Sequence, residues 1–149
     1  MVTKVGLQTD FIAALKDLLE LDYDAVEAYS VAIDKLENKD YATTLAHFRE
    51  DHKRHIEQLT ALLKDHDIDP PKGPDLKQYL AKGKVYMANL IGDQAILKAM
   101  HSNEMDTNTA YKRINQFTEM WPEAVTILQR GLEDETTHKL WIESAINSD

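Results

Sequence analysis

The sequence predicts an all-α fold, one antiparallel four-helix bundle with a long crossover containing a short helix between its second and third helices. Three observations predict it. Apolar residues recur at steps of three and four through four long stretches, the period of a helix with one face turned inward. Turn formers are scarce, with 5 Gly and 4 Pro among 149 residues. Three of those prolines, Pro70, Pro71 and Pro74, fall in one segment between the second and third stretches, where no helix can continue.

The first stretch runs from about Thr9 to Asn38, with Thr9 or Asp10 available as N-cap and Asn38 as a stop. Its stripe reads Phe11, Leu15, Leu18, Asp22, Ala25, Tyr29, Ala32, Leu36. The second runs from near Asp40 to His66, with Leu45, Phe48, His52, His55, Leu59 and Leu62 on one face. From Asp75 to Ile91 the periodicity weakens to a short crossing helix or two. Asp93 is the expected N-cap of the third long helix, which carries Leu97, Met100, Glu104, Tyr111 and Ile114 inward and continues to about Phe117. Pro122 sits where a first-turn proline is favoured and opens the last helix, to about Asn147. The stripe there is Val125, Leu128, Leu132, Glu135, His138, Ile142, Ala145.

Composition bounds the function. Hydrophobic residues make up 43% and charged residues 29%, the balance of a globular chain, and residues 1–149 are expected to form one domain. A formal charge of −9 argues against nucleic acid or an anionic membrane as partner, since both require a basic face. No stretch is apolar enough to span a bilayer, and Met1 to Leu7 lack the basic start and apolar run of a signal peptide, so a cytoplasmic protein is expected. Cysteine is absent. Any metal must then be held by oxygen and imidazole, which suits iron, manganese or zinc.

Six ionisable residues break the apolar stripes: Asp22, His52, His55, Glu104, Glu135 and His138. All lie near mid-helix and can share one layer. Burying an ion costs several kcal/mol, and a whole domain is stable by only about 5–15 kcal/mol. Such a layer survives only if its members satisfy one another or hold a cation. The two halves of the chain also repeat. Asp22 precedes Tyr29 by seven residues and Glu104 precedes Tyr111 by seven, while Asp22 to His55 spans 33 residues and Glu104 to His138 spans 34. Two hairpins in one register imply a pseudo-twofold bundle with the polar layer on its axis. Glu135 and His138, three apart on one helix face, can reach one metal together. A carboxylate from each of two helices and a Glu-x-x-His from each of the others is the di-metal carboxylate pattern.

At these residues the chain resembles the ferritin-like di-iron superfamily, which includes bacterioferritins and rubrerythrins, and in look it is nearest to small bacterial ferritin-like bundles. Asp51-His52-x-x-His55 and Asp134-Glu135-x-x-His138 resemble that superfamily's Asp-Glu-x-x-His helices, and the run from Asp22 to Tyr29 resembles its first-helix acid motif. The resemblance implies Glu104, Glu135 and His138 at one metal, with Glu135 able to bridge, and Asp22 and His55 at the other. It implies Asp51 and Asp134 as acceptors that orient imidazoles, and Tyr29 and Tyr111 as neighbouring donors or redox-active groups. Two departures stand out: His52 replaces a bridging Glu, and Asp22 replaces a longer one. Histidine does not bridge as a carboxylate does, and three acids leave two divalent ions with net positive charge. One metal, a lopsided pair, zinc, or no metal then remain open, as does a metal-free network in which three histidines neutralise three acids.

The expected function is a ferritin-like metal-binding protein with one or two ions per chain, iron foremost and zinc or manganese next, in iron, oxygen or peroxide redox chemistry linked to stress. The alternative is a non-enzymatic bundle acting through its surface, with a degenerate or structural metal site. Monomer and homodimer both fit. His47, His66 and His101 read as surface or partly exposed residues, and Trp121 and Trp141 as plugs for the bundle ends or a dimer contact.

Overall fold

The computed structural model describes Thr3, Val5 and residues 10–74 and 86–148. Among these residues the chain is all-helical and without strands, with four long helices: α1 (Phe11–Lys35), α2 (Lys39–Asp65), α3 (Asp93–Ile114) and α4 (Ala124–Asn147). Most of the expected crossing helix, residues 75–85, and Thr9 lie outside the described residues, while residues 86–88 form a helical turn. No described helix is long and apolar enough to cross a membrane.

Local chemistry sets the helix ends. Asp10 caps α1 by accepting from the Ile12 amide at 3.0 Å. Asn38 starts α2 by accepting from the amides of Asp40 at 2.9 Å and Tyr41 at 3.2 Å, satisfying two donors that have no intrahelical acceptor. Asp93 is not the cap expected of it. Gly92, at φ 90°, takes the N-cap position in a conformation that favours glycine, and Asp93 is the first helical residue. Its carboxylate instead accepts from the Glu37 and Asn38 amides, both at 2.9 Å, and so ties the start of α3 to the turn between α1 and α2.

At the other end, His66, which follows α2, stacks on Trp121, which precedes α4, with ring centroids 3.6 Å apart. The connection from α2 to α3 therefore returns from one end of the helices to the other. Helix α1 packs on α2 and α3, and α4 packs on α3 and more sparsely on α2.

The inward stripes of the first three helices are buried as the periodicity indicates. The last helix differs. It begins at Ala124 and not at Pro122, which lies in the preceding turn, and α3 stops at Ile114, short of Phe117. Val125 is 37% exposed and Leu132 only half-buried, because Ala124, Leu128, Gly131 and Glu135 take the inward positions. Hydrophobicity misled here because the closest approach is made by the smallest side chains. A Cβ on Gly131 would lie 2.9 Å from Cδ1 of Tyr111 and closer still to Cε1. Gly131→Ala is therefore expected to destabilise the protein by about 1–3 kcal/mol through overpacking. Helix propensity alone would give a gain of up to about 1 kcal/mol, so the sign of the change in a denaturant titration decides.

Two apolar cores result. One gathers Phe11, Leu15, Leu18, Leu59, Leu62, Ile114 and Leu128, and the other Ala32, Leu36, Leu45, Ile96, Met100 and Ile142. Between them, at the middle of all four helices, lies a layer that is not apolar.

Candidate metal centre

Asp22 from α1, His52 and His55 from α2, Glu104 from α3, and Glu135 and His138 from α4 meet in this layer, each no more than 2% exposed. They form two overlapping groups whose potential ligand atoms lie within 4.8 Å of one another. One group is Asp22, His52, His55 and Glu135, and the other is His52, Glu104, Glu135 and His138. His52 and Glu135 belong to both. All six come from one chain, so no second copy is needed to assemble either group.

The three histidines are held differently. His55 turns Nε2 outward to Asp134 at 2.9 Å and Nδ1 inward, 3.3 Å from Asp22 and 3.5 Å from Glu135 Oε1. His138 does the same across the layer, with Nε2 2.8 Å from Asp51, and Nδ1 3.5 Å from Glu104 and 3.6 Å from Glu135 Oε2. Each imidazole is thus oriented by a carboxylate on the opposite helix, which aims Nδ1 into the layer, where a cation would take the place of its proton. The Arg54 guanidinium contacts both Asp51 and Asp134 at the half-exposed rim between α2 and α4 and holds the two orienting acids in place. His52 has no outer acid. Its Nδ1 lies 2.8 Å from Asp22 Oδ1 and its Nε2 3.4 Å from Glu104 Oε1.

The tyrosines cross over as well. Tyr29 on α1 donates its hydroxyl to Glu104 on α3, and Tyr111 on α3 donates to Asp22 on α1 at 2.7 Å. Burial, reinforced by the neighbouring carboxylates, pushes both phenols well above their ordinary range, so they remain donors. Thr107 donates to Glu135 Oε2 at 2.9 Å and lies 3.2 Å from Glu104 Oε2.

Thr107 and Arg54 were not singled out in the sequence. Thr107 stands one turn after Glu104 and could have been found from that spacing. Arg54 carries no such signal, because it lies off the inward stripe. Of the remaining histidines, His101 pairs with Glu143 at 3.1 Å and His66 pairs with Glu123, both away from the layer, and His47 is exposed. Trp141 packs on Tyr41 and Phe48 toward one end, and Trp121 on Phe11 at the other.

Electrostatics bind the layer tightly. Burial alone would discharge His52, but Glu135, Asp22 and Glu104 outweigh it and push its pKa up to about 10. Burial is likewise overcome at His55, pushed up to about 9 by Asp134 and Asp22, and at His138, pushed up to about 12 by Asp51, Glu104 and Glu135. Asp22 and Glu104 fall below the usual carboxylate range despite burial, because histidines surround them. Glu135 is the exception. Burial and the adjacent Glu104 charge raise it to about 7.

Two atoms in the layer remain without a hydrogen-bond partner, Glu135 Oε1 and His138 Nδ1, on residues with no measurable exposure. Buried polar atoms are rarely left unsatisfied, and these two belong to ligand-type groups facing the same interior. A hard or borderline divalent cation suits the donor set of three carboxylates and three imidazoles and would satisfy both atoms.

A crystal structure of a conserved hypothetical protein, rv2844, from Mycobacterium tuberculosis is similar in fold, with a TM-score of 0.78 at 12% sequence identity, covering 93% of this chain and 92% of that one. No curated protein matches the sequence. Residues 10–116 match the family described as Domain of unknown function (DUF2383).

Proposed function

We propose that this chain, which belongs to the DUF2383 family, is a ferritin-like metal-binding protein that holds two divalent cations, iron foremost, in its central polar layer. One observation carries the reading: two four-residue ligand groups share His52 and Glu135 and contain two buried ligand atoms, Glu135 Oε1 and His138 Nδ1, that make ion-pair contacts of 3.5–3.6 Å but no hydrogen bond. The single return connection between α2 and α3 supports the ferritin-like description, since that is the connectivity of such bundles.

Asp22 and His55 would hold one cation, Glu104 and His138 the other, and Glu135 would face both. When bound, iron would supply one-electron exchange with oxygen or peroxide. The protein's own contribution is positional. Asp134 and Asp51 hold the outer nitrogens of His55 and His138, Arg54 holds those two acids, and Tyr29, Tyr111 and Thr107 hold the inner carboxylates. The two apolar cores on either side exclude water from the layer.

A second reading is favoured by the density of histidine–carboxylate contacts, which lets the layer neutralise itself without metal. The bundle would then act through its surface. Oxygen consumption by the Fe(II)-loaded protein separates the two. Uptake faster than that of free Fe(II), and lost in His138→Leu, is the expected outcome. Uptake no faster than free iron would eliminate the redox role and leave sequestration or the surface reading.

A further inference from the structure

We propose that His52 is a bridging ligand, its imidazole bound through Nδ1 to one divalent cation and through Nε2 to the other. This deepens the metal-binding reading and rests on it. It also changes the meaning of a histidine at a position where a bridging carboxylate would be expected.

The geometry sets His52 apart from the other two histidines. His55 and His138 each spend one ring nitrogen on an outer acid, Asp134 or Asp51, and can give a cation only the other. Both nitrogens of His52 face inner carboxylates instead. Nδ1 lies beside Asp22 Oδ1 at 2.8 Å and Glu135 Oε1 at 3.5 Å, in the group that contains His55. Nε2 lies beside Glu104 Oε1 at 3.4 Å, in the group that contains His138. The lone pairs of an imidazole lie in the ring plane and diverge, so one ring can serve two cations only when its nitrogens face two separate ligand groups. That is the arrangement here. Glu135 stands at the equivalent position in the repeat and behaves alike, turning Oε1 toward His52 and His55 and Oε2 toward His138 and Thr107.

A His52 ring that has bound a cation at each nitrogen has released both ring protons to solvent as the two metal–nitrogen bonds form. It is then an imidazolate. Its single negative charge adds to those of Asp22, Glu104 and Glu135 around the two cations, and Asp51 and Asp134, paired with Arg54, stand behind His138 and His55 at the rim.

The test is nitrogen NMR of the full chain carrying isotope-labelled histidine, stripped of metal and loaded with Zn(II). With two zinc ions per chain, one per ligand group, one imidazole should show both nitrogens in the metal-coordinated range and no ring N–H. Its contacts to both the Tyr29 ring and the His55 ring, with centroids 5.3 and 5.5 Å away, identify it as His52 without need of a variant. In His52→Gln that signal should vanish and affinity for the second zinc should fall at least tenfold. Two zinc ions with every imidazole keeping one unmetallated nitrogen would overturn the bridge while leaving the metal-binding reading standing. So would saturation at a single zinc. No zinc bound by a folded chain would overturn both.

Discussion

Glu135→Ala is expected to weaken metal binding in both halves of the layer, whereas Glu104→Ala should leave one cation bound. Glu135 belongs to both ligand groups and Glu104 to one. In Glu104→Ala the set of Asp22, His52, His55 and Glu135 survives intact. Replacing an orienting acid around a metal typically weakens binding about 10–100-fold. Loss of a directly ligating carboxylate shared by two cations should exceed that, so Glu135→Ala should weaken both sites by more than about 100-fold. Asp51→Ala should fall in the lower range and chiefly affect the half containing His138, whose outer nitrogen it holds. Calorimetric titration with Zn(II) reads all three. Equal losses for Glu104→Ala and Glu135→Ala would show that the two groups do not act as separate half-sites.

The metal-free protein should lose stability as pH rises from about 6.5 to 9, the reverse of the metal-loaded form. His52, His55 and His138 have folded pKa values near 10, 9 and 12, against a reference of 6.5. Their stabilising contribution is complete below 6.5 and is lost as pH climbs through those folded values. Glu135, raised from 4.5 to about 7, acts with the same sign at lower pH. Asp22 and Glu104 act oppositely. Their pKa values are lowered, so their contribution is present above the ordinary carboxylate range and is lost in acid.

Metal-free stability should therefore peak near pH 4.5, fall gently as Glu135 ionises, and fall steeply above 6.5. Each extra proton held by the folded state is worth about 1.4 kcal/mol per pH unit. A single such proton would then remove roughly 3 kcal/mol between pH 7 and 9, lowering Tm by about 6–12 °C for a chain of this size. Cations compete with these protons, so metal affinity should rise over the same interval. Thermal melts of stripped and loaded protein across this range check both signs. A flat metal-free profile would mean that the histidines do not hold their protons in the fold.

Most of this architecture was legible because periodicity and chemistry disagreed at so few positions. The stripes of α1, α2 and α3 named the buried residues, and Asp22, His52, His55, Glu104, Glu135 and His138 stood out as ionisable groups on otherwise apolar faces. The paired spacings to Tyr29 and Tyr111 also marked residues that the layer uses, although each tyrosine serves the acid of the other helix. What escaped was set by packing and by contacts distant in sequence. Gly131 is inward because the Tyr111 ring needs its missing side chain, which a hydrophobic pattern cannot register. Asp93 reads locally as an N-cap, yet its partners are amides 55 and 56 residues earlier. Arg54 joins Asp51 to Asp134 across two helices, a relation that no single-helix period encodes. The direction of each ring nitrogen of His52 belongs to the same class.

The most direct test of the central claim is the metal stoichiometry of the full chain, purified without a metal-binding tag, stripped, and titrated with Fe(II) in the absence of oxygen. Two irons per chain, bound with the loss of histidine protons, is the predicted result, one for each ligand group around His52 and Glu135. No iron bound by a folded protein would contradict it and leave the layer as a network of histidines and carboxylates that neutralises itself.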